Sequence, residues 1–190
     1  PSADRSVRIC DDAHRMGYHR GKFLIASPQL MDPNFTQSVV LLIQHDDNGA
    51  MGVIVNRPIQ VTVKQACEPL GGVDCKVDAP LHIGGPCEGP LIALHTLGEA
   101  GETEVIPGVF VSVQRDNVQT LLEQNITPAK FIANYAGWGA GQLEAEIDEG
   151  SWLIVDARSE DIFSLSSEKL WSRLIAHATL GRWIDPSKIP

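Results

Sequence analysis

Short apolar runs broken by glycine, proline and acidic turns dominate the chain, with few long amphipathic repeats. Phe23-Leu24-Ile25-Ala26 halts at Ser27-Pro28, and Val39 to Ile43 is a β-branched and leucine run too short for a helix, so both read as buried strands. Asp46-Asp47-Asn48-Gly49 is a turn, and the apolar pattern resumes from Met51 to Asn56. Val39 to Asn56 is therefore expected to form a hairpin around an Asn-Gly link, ended by Arg57-Pro58. Thr62 to Leu70 opens with capping-box spacing at Thr62 and Gln65 and meets Gly71-Gly72, which predicts one short helix. Leu81-His82-Ile83 and Leu91 to His95 flank a glycine- and proline-rich stretch and read as a hairpin centred on Glu88-Gly89. Val105 to Val113 reads as one strand kinked at Gly108. A helix from Asp116 to Gln124 capped by Asp116, a strand from Lys130 to Tyr135, a helix from Gln142 to Glu149 and a strand from Trp152 to Val155 follow. A last helix, Ser167 to Leu180, places Leu170, Trp171, Leu174, Ile175 and Ala178 on one face and stops at Gly181. Strands mixed with short helices predict an α+β fold.

Composition narrows the function classes. The chain of 190 residues suits one domain, and 43% apolar with 21% charged residues supports a real core. The longest apolar run, Val39 to Ile43, is far below the roughly 18 residues of a membrane-spanning helix, so no membrane association is expected. With 15 basic against 24 acidic side chains the net charge is -9, the wrong sign for non-specific nucleic-acid binding. Basic residues gather at Arg5, Arg8, Arg15, Arg20 and Lys22, and none lies between Val77 and Gln114. Cys10, Cys67, Cys75 and Cys87 form no C-x-x-C pair, and the first twenty residues contain no secretory apolar core. A reduced, cytoplasmic protein is expected, with an extension over residues 1–20, a domain over 21–182 and a tail over 183–190.

Four ordered motifs bear on family. They are Gly21-Lys-Phe-Leu-Ile-Ala-Ser-Pro-Gln-Leu-Met-Asp-Pro-Asn-Phe35 through Ser38-Val39, then Gly49-Ala-Met-Gly-Val-Ile-Val-Asn-Arg-Pro58, then Gly84-Gly-Pro86, then Tyr135-Ala-Gly-Trp-Gly-Ala-Gly-Gln-Leu-Glu144. Together they resemble the AlgH/YqgE family from about Gly21 to Leu180. The resemblance implies an α+β domain in which a bifurcated sheet curls into a pseudo-barrel with helices packed outside. It also implies a role that some members carry as a label, transcriptional regulation, without a mechanism. The chain departs from the family pattern at Asn134 and Ala140, where glycine and proline are usual, and at Cys87, where valine often follows Gly-Gly-Pro.

Each chemical candidate competes with a structural role. Gly137-x-Gly139-x-Gly141 before a helix could offer N–H groups to an anion, but it lacks the G-x-G-x-x-G and Gly-Lys-Ser/Thr fingerprints, and Glu144 and Glu146 oppose a phosphate. Cys87 would be a nucleophile only with a base such as His82 or His95, and those histidines with a carboxylate match no closed zinc spacing. His45-Asp46-Asp47 could supply acid and base, although carboxylates at a hairpin tip are usually solvated. Neither metal nor cofactor is expected.

The reading is a noncatalytic binding or regulatory protein acting through a protein or small-molecule partner. Its rivals are a hydrolase using Cys87, His82, His95 and Asp46, and a direct DNA-binding regulator, although no helix shows a basic face. The expected ligand site joins Asn56, Arg57, Gly84, Gly85, Tyr135, Trp138, Gly139 and Gln142. In it Tyr135 and Trp138 form an aromatic wall and Arg57 receives a carboxylate, unless Arg57 clamps a group such as Asp32 within the fold.

Overall fold

The computed structural model describes residues 19–164 and 167–183; Cys10, most of the expected N-terminal extension and most of the expected tail lie outside them. Strand β2 (Val39–Asp46) shows why its apolar run is continuous: Val39, Leu41 and Ile43 face one core, Val40 and Leu42 another. It pairs on one side with β1 (Lys22–Ala26) and on the other with β3 (Gly49–Ile54), and its register shifts between Leu42 and Gln44. The turn falls at the expected Asp46 to Gly49, with its loop one residue earlier than an Asn-Gly pair. Asp46 pairs with Gly49, so Asp47 and Asn48 form the loop, and the Asp46 carboxylate accepts the Asn48 N–H at 2.8 Å. Gly49 is needed for another reason, since a Cβ there would lie 2.2 Å from the Trp138 carbonyl oxygen.

β10 (Ala136–Gly139) and β11 (Trp152–Asp156) complete an antiparallel sheet in the order β10-β3-β2-β1-β11. The second sheet uses β4 (Pro58–Thr62), β5 (Pro80–Ile83), β6 (Ile92–His95), β7 (Thr103–Ile106), β8 (Val109–Ser112) and β9 (Ala129–Ala133) in the order β4-β5-β9-β6-β8-β7. The sheets fork at the end of β3, where the Ile54 N–H donates to the Gly84 carbonyl at 2.9 Å. Between them lies a core of Phe23, Ile25, Val39, Leu41, Val53, Ile92, Leu94 and Ile132, closed at one side by Leu170 of α5 (Ser167–Trp183). The Trp171 indole N–H donates to the Ala26 carbonyl at 2.8 Å and fixes α5 on β1. Helices α1 (Val63–Cys67) and α2 (Arg115–Gln124) cover the outer face of the second sheet, α3 (Gln142–Asp148) covers that of the first, and α4 (Ser159–Ile162) precedes α5. The expected α+β architecture with outer helices is present, as two facing sheets that close no barrel.

Several local expectations are corrected. β5 and β6 are not a hairpin: β9 inserts between them, parallel to β5 and antiparallel to β6. The stretch from Val105 to Val113 is two strands turning at Pro107-Gly108, with Gly108 at φ 78. Thr62 caps α1 through the expected capping box, with reciprocal bonds to Gln65 of 3.0 and 3.2 Å. The α-helix nevertheless ends at Cys67 and continues as a 3-10 turn through Pro69, which has no N–H for the i to i−4 ladder. Asp116 is not the cap of α2. The N-cap is Gln114, which makes no side-chain capping bond; the Glu102 carboxylate instead ties down the chain entering the helix, accepting the N–H groups of Val113 and Gln114. Helix α5 runs past Gly181 to Trp183.

Candidate functional site

Asn56 and Arg57 sit where the chain leaves the first sheet for the second, and both side chains bind the turn before β2. The Asn56 amide accepts the Val39 N–H at 2.8 Å and donates to the Gln37 carbonyl at 2.9 Å. The Arg57 guanidinium donates to the carbonyls of Asn34 at 2.5 Å and Thr36 at 3.2 Å. Burial lowers the Arg57 pKa and the nearby Asp32 carboxylate opposes that shift. Both polar groups thus hold residues 34–39 in place, and the guanidinium does not line the neighbouring cavity.

Gly84 and Gly85 lie against the chain entering β10. A Cβ on Gly84 would meet the Asn134 carbonyl oxygen at 2.4 Å, and one on Gly85, at φ 155, would meet that of Tyr135 at 2.3 Å. Cys87 and Tyr135 then exchange two backbone hydrogen bonds of 3.0 Å. Asn134 itself adopts φ 65, a left-handed conformation that asparagine tolerates, at the position where the family resemblance leads one to expect glycine. The Gly84-Gly85-Pro86 and Tyr135 to Gln142 segments therefore touch.

Beyond this contact a cavity of about 410 Å³ opens, lined by Leu30, Asp32, Asn34, Phe35, Pro86, Gly137, Trp138, Gln142, Glu146, Ser151 and Trp152. Its aromatic wall differs from the expected one. Tyr135 and Trp138 are three residues apart along an extended chain and so face opposite sides; the Tyr135 ring lies over Gly89, away from the cavity. Phe35 and Trp152 take its place, with ring centroids 6.0 Å from Phe35 to Trp138, 5.4 Å from Phe35 to Trp152 and 5.9 Å between the indoles. One Glu146 oxygen accepts both indole N–H groups, from Trp138 at 2.9 Å and Trp152 at 2.8 Å, and the other accepts the Gln142 amide at 3.0 Å. Gln142 in turn accepts the Gly139 N–H at 3.1 Å. Asp32 and Glu146 supply the ionisable groups of the lining, and no lysine or arginine is among them. Sequence reasoning missed Phe35, Trp152 and Glu146 as a unit. Phe35 ends the motif that begins at Gly21, but no pattern in the chain connects it to a strand more than a hundred residues later.

The rival chemistries find their residues apart. His82 and His95 face opposite sides of the second sheet, because His82 pairs with Ile132 in the inter-sheet core while His95 packs beside Phe110 on the outer side. His95 is satisfied structurally: its Nδ1 accepts the Leu97 N–H at 3.2 Å and its Nε2 donates to the Ser112 hydroxyl at 2.9 Å. The His82 Nδ1 donates to the Pro80 carbonyl at 3.2 Å, leaving a buried Nε2 without a partner among the described residues. Burial, then the charge of Lys130, lowers the His82 pKa to about 4 against the opposing Pro80 bond. His45 pairs with Glu144 at 2.6 Å, while Asp46 stays at its hairpin tip bonded to Gln44 and Asn48. Gly137 and Gly139 belong to β10, so the expected glycine loop is a paired strand and only Gly141 begins α3. Among the described residues no three His, Cys, Asp or Glu side chains cluster as a metal site, and no helix is long and apolar enough to cross a membrane.

Comparison with known proteins fits this geometry to a family. The family model described as DUF179: AlgH-like matches residues 23–181. A UPF0301 protein of Chlorobaculum tepidum is 42% identical over 161 residues, covering 82% of this chain and 84% of that protein. One from Myxococcus xanthus is 36% identical over 170 residues, covering 87% and 92%. The solution structure of the AlgH protein from Pseudomonas aeruginosa aligns with a TM-score of 0.68 at 32% identity, covering 86% of this chain and 88% of that one. A crystal structure of a Corynebacterium diphtheriae protein, 22% identical and covering 84% and 86%, shares the fold with a TM-score of 0.68. With a family model spanning both sheets and relatives matching most of its length, the chain belongs to the AlgH-like UPF0301 family.

Proposed function

We propose that this chain is a noncatalytic binding protein whose cavity beside Trp138 receives a cationic group from a small molecule or a partner's basic side chain. The observation behind this reading is a lining that combines Phe35, Trp138 and Trp152 with the carboxylates of Asp32 and Glu146 and includes no basic residue. An ammonium or guanidinium is attracted both to aromatic faces and to those carboxylates. The sign of the ligand is thereby the reverse of the carboxylate expected from Arg57, whose guanidinium is engaged by two backbone carbonyls. Of the eight residues named from sequence, Trp138, Gln142 and Gly139 belong to this site and its support. Asn56, Arg57, Gly84 and Gly85 shape its walls, and Tyr135 anchors the strand behind it. A regulatory role would operate through this partner without direct DNA contact, in keeping with the net charge of -9. Unpaired Cys67, Cys75 and Cys87 support action in the reducing cytoplasm.

The test is titration with tetramethylammonium and, separately, acetate, read by tryptophan fluorescence. Saturable perturbation by the cation, weakened in Asp32→Asn and in Glu146→Gln, is expected. Tighter binding of acetate, or cation binding unchanged in both variants, would refute the reading.

A further inference from the structure

A second cavity, of about 500 Å³, lies on the other side of the molecule, between α1, α2 and the start of β6. Its floor is buried and apolar, formed by Cys67, Val118 and Leu122 at 5%, 6% and 4% exposure. Its mouth is also apolar. Val73 and Leu91 are half-buried there, Pro90 is exposed, and Val113, at 37% exposure, is one of three large hydrophobic residues counted as exposed among the described residues. The volume falls within the range of sites for small organic ligands, roughly 300 to 1,000 Å³. Open apolar surface of this kind is unfavourable in water and is stabilised by an apolar group that covers it.

Polarity enters at one end only. Arg115 and Gln119, one turn apart on α2, are the polar side chains of the lining. Arg115 is exposed and has no hydrogen-bond or ion-pair partner among the described residues, unlike Arg57 and Arg173. The Gln119 amide nitrogen donates to Glu123 at 2.7 Å, and its side-chain oxygen takes no hydrogen bond among the described residues. The start of α2 is a poor competing anion site, because the Glu102 carboxylate already lies beside it, accepting the N–H groups of Val113 and Gln114 and the Asn117 amide, and its negative charge opposes a second anion. The Cys67 thiol does not charge the floor: burial, with the adjoining Cys75, raises its pKa to about 11, so it is a neutral, weakly polar surface at neutral pH.

We infer that this cavity binds a small amphiphilic carboxylate, with its hydrocarbon body against Cys67, Val118 and Leu122 and its head on Arg115. An apolar chamber with one unpaired guanidinium at its rim matches a molecule with one apolar end and one planar anion. The arginine fork can grip a carboxylate through two parallel hydrogen bonds. The site is independent of the cation cavity on the opposite sheet, so either can fail without the other.

Decanoate is the probe, with decanol as its uncharged counterpart, titrated by calorimetry against the full chain and two variants. Arg115→Gln removes the charge from an exposed position, and Val73→Trp fills the mouth; a retained cooperative thermal transition establishes that each is folded. Saturable decanoate binding below about 1 mM is expected, weakened roughly tenfold by Arg115→Gln, weakened at least as much by Val73→Trp, and stronger than decanol binding. Absence of saturable binding would overturn the inference. So would a change of less than about twofold in Arg115→Gln, or decanol binding as tightly as decanoate, since either would leave only a nonspecific apolar surface.

Discussion

Lys130 offers a sharp test of how the inter-sheet core is built. Its side chain lies on the same face of β9 as Ile132, is 7% exposed, and donates from Nζ to the Val55 carbonyl at 2.7 Å. Burial lowers its pKa from 10.5 to about 8. At roughly 1.4 kcal/mol per pKa unit this difference corresponds to about 3 kcal/mol by which the fold disfavours the ammonium. Below pH 8 both folded and unfolded chains hold the proton, so that cost is fully present. Between about pH 8 and 10.5 the folded chain has released the proton and the unfolded chain has not, so stability rises with pH through this window. Lys130→Met removes the titrating group and keeps most of the volume, but it strands the Val55 carbonyl at about 1 to 3 kcal/mol. The two effects oppose each other at pH 7, which makes the slope more informative than the offset. Urea unfolding of both proteins at successive pH values from 7 to 10 should show the parent gaining about 2.5 kcal/mol relative to the variant. Taking the difference cancels Cys67 and every other group that titrates in both. Parallel stability curves, diverging by less than about 0.5 kcal/mol, would refute a buried ammonium at this position.

Four further outcomes are expected. Glu146→Ala strands the indole N–H groups of two buried tryptophans and should cost about 2 to 4 kcal/mol in urea melts. Gly85→Ala, with φ 155 and a Cβ placed 2.3 Å from the Tyr135 carbonyl oxygen, should lose more than about 3 kcal/mol, seen as a lowered melting temperature or loss of soluble protein. His82, with its pKa near 4, resists protonation in the fold, so acidification from pH 6.5 toward 4 should remove up to about 3 kcal/mol that His82→Leu retains, measured by pH-dependent unfolding. Cys87→Val should stay within about 1 kcal/mol of the parent in the same melts, because the thiol makes no hydrogen bond among the described residues and lies 3.9 Å from where a Cβ on Gly137 would stand.

Elements whose signals are local were legible in the sequence. The run from Val39 to Ile43, the capping box at Thr62 and Gln65, and the face shared by Leu170, Trp171 and Leu174 each declare their structure within a few residues. The placement of β9 could not be read this way. His82 and Ile132 pair across fifty residues, while the short separation of Leu81 and Leu91 made a hairpin the simpler reading. Pro107-Gly108, by contrast, is a turn signal present in the chain, although the apolar run on either side of it also fits a single strand kinked at Gly108. For the cavity beside Trp138, the glycines marked where backbones approach one another, but alternation along an extended chain decides which aromatic faces inward. That requires the strand boundary at Ala136, which the glycine-rich sequence obscures. Arg57 illustrates the remaining gap: its position at a strand end was clear, whereas the carbonyls that engage it depend on the 34–37 turn.

The insertion of β9 also sets a schedule for the growing polypeptide. β5 and β6, though synthesised in succession, meet no lasting partner in each other and must await a strand ending at Ala133. β3 similarly awaits β10, and β1 awaits β11, which ends at Asp156. Until those late strands leave the ribosome, four apolar strands present open edges, a state prone to pairing between chains. A chain truncated before Ala129 would therefore retain most of its apolar strands and no means of closing either sheet, and its expected fate is aggregation or proteolysis, with no smaller folded fragment.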